Sequence, residues 1–296
     1  MSRRFDFITL DVFTNRRFGG NQLAVFPDAR GISDAEMQAL ATEFNYSETT
    51  FVLPPVDPAN TARVRIFNRT AEMPFAGHPN VGTGFTLADR AVDGALRFEQ
   101  IAGVVEVVLS RDAAGQVNGA TIAAPQPLAV GPELSPEDVA ACAGLDPAEI
   151  VLARHPPTIA ADGGNPRLLL EVTPAALARA VPDMAAFRRT VTLHPLLGGK
   201  LSLYLYVRDG KRIRARMFSP LTGTPEDPAT GSAATPLAGF LLRLDNAERA
   251  AFEIIQGVEM GRPSLLLARA WRTAEGICSS VGGGCVPVLR GEALLD

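Results

Sequence analysis

Two pseudo-symmetric α+β lobes, each a mostly antiparallel sheet or barrel wrapped around one central helix, are predicted by three features of this sequence. Its 296 residues exceed a comfortable single hydrophobic core and suit two domains of ordinary size. Each half runs through strand-like segments into a Pro/Gly-rich turn and then one apolar helix. A motif also recurs: His78-Pro79-Asn80-Val81-Gly82-Thr83 aligns with Asp227-Pro228-Ala229-Thr230-Gly231-Ser232, 149 residues further on (227 − 78). The runs "RIFNRTAEMP" and "RMFSPLTGTP" precede the two copies, so the repeat points to internal duplication.

The elements follow in order. "FDFITLDVF" and "TARVRIFN" alternate as strands, Val64 and Ile66 interleaving with Arg63 and Arg65. Ser33 and Glu36 form a capping-box pair, and Met37, Leu40, Ala41 and Phe44 fall on one face of the helix it opens, which should stop near Asn45. "YSETTFVLPP" then reads as a turn into a strand, "GHPNVGTG" as a turn, "FTLADRA" as a helix and "GVVEVVLS" as a strand. The four prolines of "AAPQPLAVGPELSPED" mark a crossing, which divides the chain into lobes 1–122 and 123–284, with 285–296 assignable to the first. Ser135 and Thr173 are N-caps, each followed by Pro at the first helical position. "RLLLEV", "LSLYLYVRDGKRIRARMFS" and "PSLLLARAW" are strands, the second folding back at Asp209-Gly210. Pro236 predicts that the helix after Gly231 kinks or starts late.

A composition 47% hydrophobic and 20% charged is that of a soluble globular protein, and a net charge of −4 offers no basic face to nucleic acid. No apolar run is long enough to cross a bilayer, and the N-terminal stretch lacks the apolar core of a secretory signal. Three scattered cysteines suit a reducing cytoplasm better than a disulfide framework, and Cys278 and Cys285 lack the partners a metal site requires. The expectation is a cytoplasmic protein without a metal or membrane partner.

The chemistry centres on the paired turns. A Gly followed by Thr or Ser at a loop-to-helix junction exposes backbone N–H donors at the positive end of the helix dipole, an arrangement suited to a carboxylate. His78 and Asp227 lead into these turns and suit proton transfer or orientation of a polar substrate group. Taken singly, Asp227 before Pro is a turn residue and a lone His is structural; the shared offset carries the argument. Glu48, in "NYSETTFV", is either an exposed residue at a strand start or, if it shares the inward face with Val52, a desolvated base. No cysteine adjoins either turn, which disfavours a two-thiol racemase, and the absence of Lys after Gly disfavours a phosphate-binding loop.

Five ordered motifs, "GNQLAVF", "NYSETTFV", "MPFAGHPNVGT", "RMFSP…PEDPATGSAA" and "QGVEMGRPS", resemble those of the phenazine-biosynthesis PhzF-like family over nearly the whole chain. The resemblance implies the diaminopimelate-epimerase fold and a cofactor-free isomerase, related to those acting on trans-2,3-dihydro-3-hydroxyanthranilate. It implies Glu48 as proton shuttle with His78 and Asp227 as catalytic partners, and Asn21, Gly77, Gly231 and Ser232 as substrate-binding residues. It also implies a small carboxylate-bearing substrate and a homodimer. An amino-acid epimerase on the same fold and a non-catalytic metabolite-binding protein are the alternatives.

Overall fold

The computed structural model describes residues 3–296. Two compact units emerge: the chain up to Ala123 together with Val281–Asp296, and Ala124–Ser280.

The first unit contains β1 (Arg3–Val12), β2 (Asn21–Phe26), α1 (Asp34–Phe44), β3 (Glu48–Leu53), β4 (Ala62–Phe67), β5 (Glu72–Met73), α2 (Gly77–Thr86), β6 (Ala95–Gln100), β7 (Gly103–Arg111) and β8 (Val117–Ala123). The second contains β9 (Ala129–Glu133), α3 (Pro136–Ala140), β10 (Thr158–Ala161), β11 (Arg167–Glu171), α4 (Pro174–Arg179), α5 (Met184–Leu193), β12 (Leu203–Asp209), β13 (Arg212–Ser219), β14 (Thr224–Asp227), α6 (Gly231–Leu244), β15 (Arg249–Gln256) and β16 (Ser264–Thr273). The last strand, β17 (Gly276–Leu295), starts in the second unit and finishes in the first.

In the first unit β17–β1–β2–β3–β4–β6–β7–β8 forms a closed ring, because β8 pairs back onto β17. The β2–β3 and β4–β6 pairs are parallel, whereas β1–β17, β1–β2, β3–β4, β6–β7 and β7–β8 are antiparallel. Helix α2 occupies the ring, with Gly77 through Gly84 all buried. Two glycines permit that approach: a Cβ on Gly82 would sit 2.5 Å from Leu23 Cδ2, and one on Gly84 2.5 Å from Val107 Cγ1. Outside the ring, α1 covers an aromatic cluster of Phe26, Phe51 and Phe67. Its capping box is present, and Asn45 ends it in the left-handed region at φ 54°.

The second unit repeats the same succession of strand senses. β9–β10 and β10–β11 are antiparallel, β11–β12 parallel, β12–β13 antiparallel, β13–β15 parallel and β15–β16 antiparallel. Leu128 N–H donates to the Ile277 carbonyl at 2.7 Å, tying the start of this unit to the start of β17. Helix α6 is its buried helix, with Gly231 and Ala233 through Leu242 inside. Helices α3, α4 and α5 pack a second apolar core around Phe187 and Phe218.

Three expectations are corrected. The stretch "GHPNVGTG" is helix rather than turn: α2 begins at Gly77, and Gly82-Thr83 lies inside it, because glycine is what the crowded ring requires there. Helix α6 begins at Gly231 and runs on through Pro236. The proline-rich crossing contains β9, a mostly exposed strand whose backbone pairing with β10 needs no apolar pattern.

The register of the repeat changes as well. Arg65 on β4 grips Glu72 on β5 through two hydrogen bonds of 2.7 Å, and Arg216 on β13 grips Glu226 on β14 at 2.8 and 2.9 Å. Each guanidinium also lies over a phenylalanine ring, Phe67 at 5.1 Å and Phe218 at 4.9 Å. Ile66 pairs with Met73 as Met217 pairs with Asp227, and each segment then enters its buried helix at Gly77 or Gly231. The structural offset there is 154 (231 − 77), not 149, so His78 corresponds to Ser232 and Asp227 to Met73.

Candidate active site

The residues singled out in the sequence fall into two clusters, one in each unit. In the first, parallel pairing sets Leu23 beside Glu48, so β2 and β3 begin at the same end of the ring, where α2 also starts. That placement brings Asn21, Glu48, Gly77 and His78 together. His78 Nε2 lies 3.3 Å from Glu48 Oε2, their side chains 7% and 16% exposed, so the inward orientation of Glu48 is the one the fold adopts. His78 Nδ1 is 3.4 Å from Asn21 Nδ2, and Ser47 Oγ donates to Asn21 Oδ1 at 3.3 Å. Burial pushes the His78 pKa down to about 3, opposed by a hydrogen bond to the Gln22 backbone, so the ring is neutral. An imidazolium at that distance would pair with the carboxylate and blunt it as a base; a neutral ring does not.

In the second cluster, Asp227 ends β14 and α6 starts four residues later with Gly231 and Ser232. Arg167, buried as the first residue of β11, donates from Nη2 to Ser232 Oγ at 2.9 Å. Thr230 donates its hydroxyl to Asp227 Oδ2. Sequence reasoning missed Arg167. The available signal was a second repeat: Gly19-Gly20-Asn21 leads into β2, and Gly163-Gly164-Asn165 leads toward β11. Gly164 lies so close to α6 that an added Cβ would be 3.2 Å from that of Ser232.

The helix starts themselves differ from the rest. Helices α1, α3, α4 and α5 are capped by the side chains of Ser33, Ser135, Thr173 and Asp183. Neither α2 nor α6 is: Ala76 has no capping group, and the Thr230 hydroxyl turns to Asp227 instead. Withholding the cap keeps the first-turn amides and the positive dipole end available to an anion. Among the described residues no group of three His, Cys, Asp or Glu side chains gathers as metal ligands, and no helix is long and apolar enough to cross a membrane.

A repeated succession of strands around one buried helix in each unit defines an α+β protein of the diaminopimelate-epimerase-like fold. The chain belongs to the phenazine biosynthesis-like family, whose profile matches residues 10–291. It is 37% identical to the trans-2,3-dihydro-3-hydroxyanthranilate isomerase of Pseudomonas chlororaphis, over 98% of this chain and 99% of that one. Its fold matches a PhzF-family phenazine biosynthesis protein of Bacillus anthracis with a TM-score of 0.87 at 23% identity, covering 99% of this chain and 100% of the other. A hydroxyproline epimerase of Agrobacterium vitis shares the fold at a TM-score of 0.61 and 13% identity, over 99% and 93% of the two chains.

Proposed function

We propose that this isomerase moves a proton, without a cofactor, on a small carboxylate-bearing metabolite similar to trans-2,3-dihydro-3-hydroxyanthranilate. The single observation that carries the reading is the Glu48–His78 pair, 3.3 Å apart and largely withdrawn from water at the start of an uncapped helix. Glu48 takes a proton from carbon and returns it at another position. Carbon acids are weak, so the base needs a preorganised, water-poor setting as much as intrinsic strength. His78 stays neutral and holds the Glu48 carboxyl group in place, while Asn21 orients the imidazole.

In the second unit the amides of Gly231 and Ser232, with the Ser232 hydroxyl, bind the carboxylate. Arg167 supports this role: its N–H occupies a lone pair of Ser232 Oγ, leaving the hydroxyl hydrogen to donate elsewhere. In the first unit Gly77 offers the corresponding amide. Asp227 holds a polar substituent of the substrate. The thiol-based racemase reading gains nothing, since burial pushes the Cys142 and Cys285 thiols up, away from the reactive thiolate.

The test is solvent-deuterium incorporation into trans-2,3-dihydro-3-hydroxyanthranilate, followed by NMR. The wild type should wash deuterium into carbon, and Glu48→Gln should lower the rate by about 10²- to 10⁴-fold with the fold intact. Binding without exchange would make the chain a metabolite-binding protein. Exchange that survives Glu48→Gln at near wild-type rate would remove Glu48 from the mechanism.

A further inference from the structure

The motif "QGVEMGRPS" has so far no part in the chemistry, yet it wraps the turn that carries Asp227. Gln256 is fully buried and donates from Nε2 to the Asp227 carbonyl at 2.7 Å and to Thr230 Oγ1 at 3.0 Å. Its Oε1 accepts from Tyr204 OH at 3.0 Å and from the Thr230 N–H at 3.3 Å. Ser264 at the other end of the motif donates to the Pro228 carbonyl at 2.7 Å. Gly257, at φ 75°, comes so near that a Cβ there would be 2.6 Å from the Pro228 oxygen.

These bonds have a fixed direction. A backbone N–H can only donate and a backbone carbonyl can only accept, so Thr230 and Asp227 between them fix which end of the Gln256 amide is oxygen. Thr230 Oγ1 therefore receives a hydrogen from Gln256, and its own hydrogen goes to Asp227 Oδ2. The end of the chain is an acceptor, which favours the ionised carboxylate in one rotamer. The same diversion is what leaves α6 without a side-chain cap.

We propose that Gln256 and Thr230 are positioning residues: they hold Asp227 as a fixed carboxylate acceptor, so that it meets an N–H or O–H donor of the substrate rather than acting as an acid. This rests on the role given to Asp227 above. Without the Thr230 hydroxyl the carboxylate loses one charge-assisted hydrogen bond and its alignment, while the pair Glu48–His78 lies in the other unit and keeps its geometry.

A double-mutant cycle on the exchange reaction tests it, with kcat and KM measured separately. Thr230→Val should lower kcat/KM about 10- to 100-fold, the scale of one hydrogen bond to a charged group. Thr230→Ser should restore it to within a few-fold, and in the Asp227→Asn background Thr230→Val should cost nothing more. Gln256→Glu, which puts an acceptor where the relay needs a donor, should match Thr230→Val. Thr230→Ala carries the same comparison if the valine variant does not fold. A full extra loss in the Asp227→Asn background, or a folded Thr230→Val at wild-type kcat/KM while Asp227→Asn is impaired, overturns the inference. An unimpaired Asp227→Asn instead overturns the role of Asp227 itself.

Discussion

Asp227 stands in the second unit where Met73 stands in the first: each is the strand residue paired with the apolar side chain that follows the arginine of an Arg–Glu clamp. The duplication has thus kept the scaffold and changed the chemistry. One unit carries a carboxylate at this point and a serine at its helix start; the other carries a thioether and a histidine. A symmetric pair of bases is not what the repeat encodes. By the same register Glu48 corresponds to Ser202, just before β12, because Thr49 pairs with Phe67 as Leu203 pairs with Phe218.

His78 should make stability depend on acid. Its folded pKa of about 3 lies below the ordinary 6.5, so between those values the unfolded chain binds a proton that the folded chain refuses. Stability from this group is complete above pH 6.5 and falls as pH drops toward 3. Denaturant unfolding of the wild type and His78→Gln at several pH values should show the wild type losing ground relative to the variant on acidification. A difference that stays constant with pH would contradict the neutral ring.

Asp162 should show the opposite sign. Burial raises its pKa to about 6 despite hydrogen bonds from Thr235 and Ser279, so the folded state holds the proton more tightly than the unfolded. Its ionisation is a cost that grows as pH rises from 3.8 to 6 and persists above that. Asp162→Asn keeps an acceptor for Ser279 and should stabilise the protein at pH 8 by on the order of 2 kcal/mol. The gain should vanish below pH 4, and a variant less stable than wild type at pH 8 would refute this.

Gly82 should behave as a packing residue. An alanine there would press on Leu23 Cδ2 at 2.5 Å and Val12 Cγ2 at 2.9 Å. Gly82→Ala should destabilise by about 1–3 kcal/mol, the usual range for overpacking. Gly31→Ala is not a fair control, because φ 92° strains any side chain; Glu43→Ala on the exposed face of α1 is. Equal melting temperatures for Gly82→Ala and Glu43→Ala would mean that the ring has room for a methyl group at Gly82.

The two Arg–Glu clamps should differ in cost. Glu226→Ala leaves the Arg216 guanidinium, 7% exposed, bonded to the carbonyls of Leu177 and Ala180 with its paired charge gone. That should cost about 3–5 kcal/mol. Glu72→Ala leaves Arg65 still paired with Asp34, so about 1 kcal/mol is expected. Chemical denaturation of both variants decides it, and a larger loss for Glu72→Ala would reverse the ranking.

Much of this was legible in the chain because local rules agreed with the fold. The Ser33–Glu36 capping box, the N-caps Ser135 and Thr173 and the turn at Gly210 all came from short-range chemistry and stand in the structure. The repeat was visible, but its register was not. Matching Gly-Thr to Gly-Ser gave the wrong partner, since Gly82 serves close packing and Gly77 starts the helix. The Arg65–Glu72 and Arg216–Glu226 pairs fix the true register, yet their spacings of seven and ten residues differ, so no constant offset reveals them. Arg167 and Gln256 stand at strand ends, first in β11 and last in β15, where alternation carries no signal; the Gly-Gly-Asn repeat points to Arg167, and Gln256 is explained only by its partners.

The double membership of β17 has a consequence for how the polypeptide matures. Val12 pairs with Cys285 and Arg3 with Leu295, so β1, which meets β2 at once, must wait 273 residues (285 − 12) for synthesis to reach its second neighbour. A ribosome-bound intermediate can assemble residues 124–280 earlier, while β1 and β8 remain as unsealed edges exposed to chaperones and to each other.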